Sequence, residues 1–358
     1  MTEAINHNFE LLDKLINDDQ SNNSVLTSNN YWMNYTKRIE RHIRNADLNH
    51  MRTNYNLTKG FAWGGVPKPT VSNLYIKRIT FYFLEKLFPF TKVANEYKRL
   101  LNATHRRNIG LLKNVAHLCL EEINQNFQDI ILTNDTCNGD AEDVFEYNDY
   151  NISAEWVTHL ARAADLYSQN QNLLKAKSLL EIGPGIGLNT LAHFALNKNL
   201  NIVMNVDIPH ILYLSTQFLK SVKFIKVIDY LDFEKIDLRD IGKDEKIVVQ
   251  LPPWALDKVD INFDLLLNHF SFQEMEKNIV SEYLALLRKK INFAAFIQNR
   301  STGHKKGAGG QMEPVTLDFI ASCFDKDEFI EKDLNPKYAS KYWDLQKDCS
   351  KVFLKKKN

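Results

Sequence analysis

No apolar run in the chain approaches the roughly 18–20 residues needed to span a bilayer. The N-terminus, MTEAINHNFELLDKLINDD, is acidic and has no secretory hydrophobic region. Cysteine is scarce. The four present, Cys119, Cys137, Cys323 and Cys349, lie far apart and form no CxxC pair, which argues against a disulfide framework or a zinc site. An excess of one charge is also missing: 45 Lys and Arg stand against 44 Asp and Glu, a net charge of +1. That balance excludes a generic nucleic-acid binder held by phosphate attraction. These absences predict a cytoplasmic protein with neither a membrane nor a nucleic-acid partner. What is present is ordinary globular material, 44% hydrophobic and 25% charged over 358 residues, enough for one large or two medium domains.

The hydrophobic period changes near residue 175. Before it, apolar residues recur three and four apart over Asn8–Ile16, Trp32–Ile43, Tyr75–Leu87, Asn95–Leu101, Ile109–Ile131 and Ile152–Tyr167, the spacing of helices. Breaks fall at Gly60–Pro69, Pro89 and Asn134–Asp140. After it, short apolar runs at Ser178–Ile182, Ile202–Val206, Ile247–Leu251, Phe263–Asn268 and Phe293–Gln298 alternate with helix-like segments. That alternation predicts a mostly parallel sheet covered on both faces. Lys223–Asp229 is a further strand candidate, and Asp327–Lys332 with Lys351–Lys355 predict antiparallel edge strands. The expected organisation is a helical region over 1–174 and an α/β domain over 175–358.

The sharpest feature is Leu179-Leu180-Glu181-Ile182-Gly183-Pro184-Gly185-Ile186-Gly187-Leu188-Asn189, placed where a strand ends and a helix begins. Glycines there allow a tight turn and close approach of a ligand to the backbone, and the helix N-terminus offers unpaired N–H groups. Three readings stand: a tight turn with no ligand, a dinucleotide loop, or an S-adenosylmethionine loop. A dinucleotide finger wants a small residue three positions after its second glycine, but here the third glycine comes at 187 and Leu188 is bulky. Asp207 follows Gly183 by 24 residues at the end of the next apolar run, close to the spacing of about 20 for an acid that accepts ribose hydroxyls. The competing reading of Asp207 is a helix cap.

The E-x-G-x-G-x-G run resembles motif I of the class I S-adenosylmethionine-dependent methyltransferases. Together LLEIGPGIGLNT, VDIPHILYLSTQFL, IVVQLPPWAL and FDLLLNHFSFQEM resemble the sugar O-methyltransferase family, whose N-x-x-S-F-x-E-M hallmark is matched by Asn268, Ser271, Phe272, Glu274 and Met275. The likeness covers about Ser178 to Arg300, with a weaker echo from Tyr31-Trp32 to Arg52. It implies a Rossmann-like class I methyltransferase sheet with helices on both faces and a mainly helical N-terminal region. It also implies S-adenosyl-L-methionine as cofactor. The expected cofactor contacts are Glu181, Gly183, Gly185, Gly187, Asp207, Ile208 and Asn268. The Asp207-Ile208-Pro209-His210 turn is also similar to plant-type small-molecule O-methyltransferases, but the His-Asp-Trp base motif of that group is absent.

Methyl transfer to oxygen needs a base. On chemistry, His269 is the first candidate, since imidazole is mostly neutral at pH 7, and Glu274 is the second if burial raises its pKa. Both are equally readable as residues that orient the loop. Ser271, Gln273, Arg300 and Lys305 are the expected acceptor contacts, the last two in a basic glycine-rich stretch readable as a lid or as a solvated loop. Trp254 after Pro252-Pro253 is readable as an adenine stack or as structural packing, and His193 and His210 as helix packing. No His, Asp and Glu cluster has a compelling ligand spacing, so no metal is expected. The expected acceptor is a small molecule or a nucleotide sugar. The helical region is expected to cover the acceptor site, to join identical chains into an oligomer, or both. Two other readings stay open: a methyltransferase of another small metabolite, and a non-catalytic methyltransferase-like scaffold.

Overall fold

The structure is a computed structural model that describes residues 4–22, 24, 26, 30–58, 92–238, 245–304, 312–342 and 350–356. The expected helix Tyr75–Leu87, the breaks at 60–69 and 89, Lys305 and Cys349 lie outside the described residues.

Eight strands form one sheet: β3 (Ser178–Ile182), β4 (Ile202–Val206), β5 (Lys226–Ile228), β6 (Ile247–Leu251), β7 (Phe263–His269), β8 (Ile291–Gln298), β9 (Phe329–Asp333) and β10 (Ser350–Lys355). Their spatial order is β5-β6-β4-β3-β7-β8-β10-β9. β5 to β8 pair in parallel, whereas β10 is antiparallel to both β8 and β9. The expected α/β class is found, with the Lys223–Asp229 candidate at one edge and the terminal pair at the other. The inner strands are buried on both faces, which is why they read as continuous apolar runs instead of alternating ones.

Register decides where a ligand can sit. Ile182 pairs with Val206 on one side and with Asn268 on the other. The carboxyl ends of β3, β4 and β7 are therefore level, and the loops that follow them lie side by side. The strand order reverses at β3, which is the switch point where open α/β sheets bind ligands.

Among the described residues the α-helices of five residues or more are α1 (Phe9–Ser21), α2 (Asn30–Arg44), α3 (Lys92–Asn126), α4 (Ala154–Gln169), α5 (Leu188–Leu196), α6 (Pro209–Lys220), α7 (Lys277–Leu287), α8 (Leu317–Ser322) and α9 (Tyr338–Tyr342). Among the described residues none is long and apolar enough to cross a membrane. The two separate helices expected over 95–131 are one, α3, because the polar Asn-Ala-Thr-His stretch between them contains no breaker. The first half also holds a hairpin that periodicity missed, β1 (Val144–Tyr147) and β2 (Tyr150–Ser153). Asn148 and Asp149 form its two-residue loop with φ of 47° and 65°, a left-handed pair that Asn and Asp tolerate. The helix expected from Ile152 starts instead after Ser153, whose Oγ accepts from the Trp156 N–H.

The N-terminal segments are bound into the α/β body. The Tyr213 hydroxyl on α6 accepts from the Asn8 N–H at 3.2 Å and meets His7 Nδ1 at 2.8 Å. Thr36 meets His210 Nδ1 at 2.8 Å, so His210 does pack on a helix, as does His193 against the Tyr167 hydroxyl. One apolar core runs from Ile5 to Phe353. Arg52 is the polar counterpart of that core. Its side chain is 2% exposed and ion-pairs with Glu155 at 3.0 Å and Asp143 at 3.6 Å. It also donates to Ser153 Oγ and to the Thr136 carbonyl. Removing one member of such a cluster strands the opposite charge in the interior. Arg52→Met should therefore lower the unfolding free energy by about 3–5 kcal/mol, measured by denaturant titration.

Candidate active site

The crevice lies over the level strand ends, lined by the glycine turn, the β4 and β7 loops, α4 and the segment carrying Leu26 and Trp32. The turn after β3 takes its shape from three glycines with positive φ, Gly183 (76°), Gly185 (61°) and Gly187 (94°). The Gly183 N–H donates to the Val206 carbonyl at 2.9 Å, which ties the turn to the end of β4. A Cβ on Gly183 would lie 2.3 Å from Cβ and Oγ of Ser271, whereas one on Gly185 would meet nothing among the described residues within 4 Å. The two glycines thus do different work. Gly183 lets the β3 and β7 loops touch. Gly185 keeps its stretch of crevice wall free of a side chain.

Glu181, next to last in β3, is almost wholly buried. Its Oε1 accepts from Asn189 Nδ2 at 2.8 Å and lies 3.4 Å from His269 Nδ1. Its Oε2 has no hydrogen-bond partner among the described residues. Burial lifts the Glu181 carboxyl to about 7, against the pull of Asn189 and Arg162. Asp207, at the end of β4, is partly open to the crevice. Its surroundings raise its pKa to about 8, mainly by desolvation, while hydrogen bonds from the Ile208 and Gly185 backbone pull it down. Ile208 lines the crevice and its N–H donates to Asp207 Oδ1 at 2.8 Å.

The β7 loop is strained. Phe270 has φ of 61°, unusual for a bulky residue, and its N–H donates to the Gln298 carbonyl. Arg162 stands over its ring at 5.5 Å. This conformation turns His269, Phe270, Ser271 and Glu274 toward the crevice. Burial and the Arg162 charge push His269 down to about 3, so it is neutral at pH 7. Its Nε2 has no hydrogen-bond partner among the described residues. Glu274 is raised to about 7 by burial, with Arg300 lowering it.

Other expected site residues are used inside the protein. Asn268 donates to the Ile182 carbonyl at 2.9 Å and accepts from the Phe272 N–H and Asn299 Nδ2. Gln273 accepts from the Arg300 N–H, and its own N–H donates to Asn299 Oδ1. Both residues stitch the β7 loop to the end of β8 and do not line the crevice. Arg300 is exposed beside them, and Lys305 lies outside the described residues. Trp254 packs edge-on against Tyr230 and donates to its hydroxyl at 3.2 Å, so it is a packing residue, and Pro253 is its neighbour at the crevice.

Trp32, His159, Arg162, Asn189 and Tyr283 also line the crevice, and the sequence reading missed all of them. A signal existed for α4. Glu155, His159 and Arg162 recur four and three apart in a helix whose Trp156, Val157, Leu160, Ala161, Ala163 and Ala164 are buried. A polar stripe on a buried helix needs partners. Here the stripe begins on Arg52 and ends in the crevice.

The residues present fit a nucleoside cofactor with a cationic end. The crevice offers a wall without a side chain at Gly185, an acid at the end of β4, and buried acceptor atoms without donors among the described residues. No protein-family model and no curated protein matches the chain. Among solved structures it is similar to the magnesium protoporphyrin IX methyltransferase of Synechocystis PCC 6803 with bound SAM, at 9% identity and a TM-score of 0.36, over 57% of this chain and 81% of that one. It is also similar to mitomycin 7-O-methyltransferase, at 11% identity and a TM-score of 0.37, over 57% of this chain and 55% of that one. A third is a cyclopropane synthase from Mycobacterium tuberculosis, at 15% identity and a TM-score of 0.31, over 48% and 64% of the two chains. At these values the likeness assigns no activity.

Two outcomes follow from the geometry. Gly185→Ala strains only the backbone, so it should cost about 1–2 kcal/mol of stability, whereas Gly183→Ala adds about 1–3 kcal/mol of crowding against Ser271. Thermal melts of the two variants, compared at one pH, test the difference. Glu181, Asp207 and Glu274 all have folded pKa values above their unfolded ones. The folded chain then holds more protons than the unfolded one, and their contribution to stability falls as pH rises from about 4 through 7–8. The ligand-free melting temperature of the parent chain relative to that of Asp207→Asn should therefore fall over that range, a difference in which the opposite contribution of the buried His159, His193, His210 and His269, whose pKa values are lowered, cancels.

Proposed function

We propose that the chain is an S-adenosylmethionine-dependent methyltransferase that methylates a hydroxyl group. The observation that carries this reading is the level placement of the side-chain-free Gly185 and the crevice-facing Asp207 across β3 and β4. When bound, the cofactor supplies a methyl group on a sulfonium, already a good leaving group. The protein's part is alignment and proton removal. Asp207 accepts the ribose hydroxyls. Glu274, lining the same crevice with a pKa near 7, takes the proton of the acceptor hydroxyl. That value suits a base working near neutral pH better than the strongly depressed imidazole of His269 does.

The motif after β7 supports a sugar or nucleotide-sugar acceptor, with Ser271 at the crevice and Arg300 acting electrostatically on Glu274. A second reading is favoured by the lining itself. Leu26, Trp32, Phe270, Met275 and Ile279 make the crevice largely apolar, which suits a flat, apolar hydroxylated metabolite. The N-terminal region serves this function by lending Leu26 and Trp32 to the wall.

S-adenosylhomocysteine should bind the full chain in a calorimetric titration. Asp207→Ala should weaken that binding by about 1.5–3 kcal/mol, and an unchanged affinity in the folded variant removes the ribose role. Once an acceptor is found by screening hydroxylated sugars and apolar phenols, Glu274→Gln should lower turnover roughly 10²–10⁴-fold with cofactor affinity retained. Turnover near the parent level would place the base elsewhere.

A further inference from the structure

Resting on the cofactor reading above, we infer that His159 on α4 selects the acceptor. Its imidazole N–H donates to an oxygen substituent of an aromatic acceptor, a second oxygen besides the hydroxyl that is methylated. His159 lines the crevice and is half-buried. Val157, Leu160 and Ala161 beside it on α4 are buried. Three other deeply placed histidines are each held at Nδ1: His193 by the Tyr167 hydroxyl, His210 by Thr36 and His269 by Glu181. His159 Nδ1 is enclosed by protein and has no hydrogen-bond partner among the described residues. Packing alone gives no reason for an imidazole there, because an apolar side chain would fill the space without stranding a polar atom.

The tautomer follows from that enclosure. A buried N–H without an acceptor is rarer than a bare lone pair, so the ring proton belongs on Nε2, the nitrogen left to meet a ligand. Burial and the charges of Arg162 and Arg52 keep the ring neutral. An N–H donor in a field set by guanidinium groups favours an oxygen acceptor and disfavours a cation. This oxygen is not the reacting one. His159 is acted on by Arg162, His269, Arg52 and His193, whereas Glu274 is acted on by Arg300 and itself acts on Asp207. The two sets share no group, so the N–H and the base address different atoms of one acceptor. Arg162, one turn on from His159, stands over the Phe270 ring at 5.5 Å, so this end of α4 meets the β7 loop and not the β4 end assigned to the ribose. The surface available to the body of the acceptor is apolar and aromatic, with Leu26, Trp32, Phe270 and Met275 in the same crevice, a lining that suits a flat ring.

The test is calorimetry on the full chain saturated with S-adenosylhomocysteine. The probes are phenol, with one oxygen, and catechol, resorcinol and hydroquinone, with two at three separations; tyramine adds a cation in place of the second oxygen. At least one dihydroxybenzene should bind the parent chain roughly tenfold more tightly than phenol, the upper end of what one neutral hydrogen bond contributes. Tyramine should bind no better than phenol. His159→Phe keeps a ring and removes both nitrogens. It should abolish the preference for the second oxygen while leaving affinity for phenol and for S-adenosylhomocysteine within about twofold, less than the worth of one such bond. His159→Gln places an amide donor near Nε2 and should recover part of the preference, which separates recognition from a packing defect. Equal binding of phenol and all three dihydroxybenzenes to the parent chain, binding of methyl glucoside in place of the phenols, or a preference that survives in His159→Phe overturns the assignment while leaving the cofactor reading intact. If the parent chain does not bind S-adenosylhomocysteine at all, the cofactor reading itself falls, and the role of His159 with it.

Discussion

The contact between the backbone at Gly183 and the side chain of Ser271 is the constraint on which the crevice depends. Only a residue without Cβ fits there, because Ser271 already fills that space. The contact draws the loop after β3 against the loop after β7, and register places the end of β4 level with both. Glu181, Asp207 and the His269–Glu274 segment therefore converge from parts of the chain far apart in sequence. Asn268 and Gln273 reinforce the arrangement by tying the β7 loop to Ile182, Asn299 and Arg300. Their polar atoms serve the shape of the site, which is why they resemble ligand-binding residues in sequence and yet do not line the crevice.

The crevice concentrates carboxyl groups that are poorly solvated without a ligand. Glu181, Asp207 and Glu274 all have raised pKa values for the same cause, burial. Burying an ionised carboxyl group is costly, and a cation bound beside it would offset that cost. The left-handed Phe270 belongs to the same pattern, since backbone strain is stored where the surrounding structure over-determines it. Rigid neighbours supply that over-determination. Phe296 lies edge-on to the His269 ring at 5.0 Å, and the Gln298 carbonyl fixes the Phe270 N–H.

The first half of the chain is structural support and also wall. Arg52 is held between Asp143, Ser153 and Glu155, which anchors the start of α4. His159 and Arg162 follow one and two turns later on the same helix and reach the crevice. From the other direction, α1 and α2 dock on α6 through His7, Asn8 and Thr36, and this brings Leu26 and Trp32 to the opening. Trp32 and Arg52 are both within the weaker N-terminal echo seen in the sequence. The first lines the site and the second braces the helix that completes it.

The sequence by itself determined the sheet. Continuous apolar runs can be buried only on both faces, so β3, β4, β6, β7 and β8 were legible, as was the turn whose three glycines have positive φ. Asp207 was legible too, because its distance from Gly183 reflects one β–α–β unit. Weak or short-range signals were lost. The β1–β2 hairpin has four-residue strands with little alternation, and its turn is specified by an Asn-Asp pair more often found in loops. Tertiary structure alone decided the chemical roles. His269 and Glu274 are five residues apart, yet burial beside Arg162 lowers the pKa of one, while burial beside the exposed Arg300 raises that of the other. It also decided that α4 belongs to the site. The polar stripe Glu155, His159 and Arg162 is visible in the sequence, but only the packing of α4 against its neighbours settles whether it faces a crevice or water.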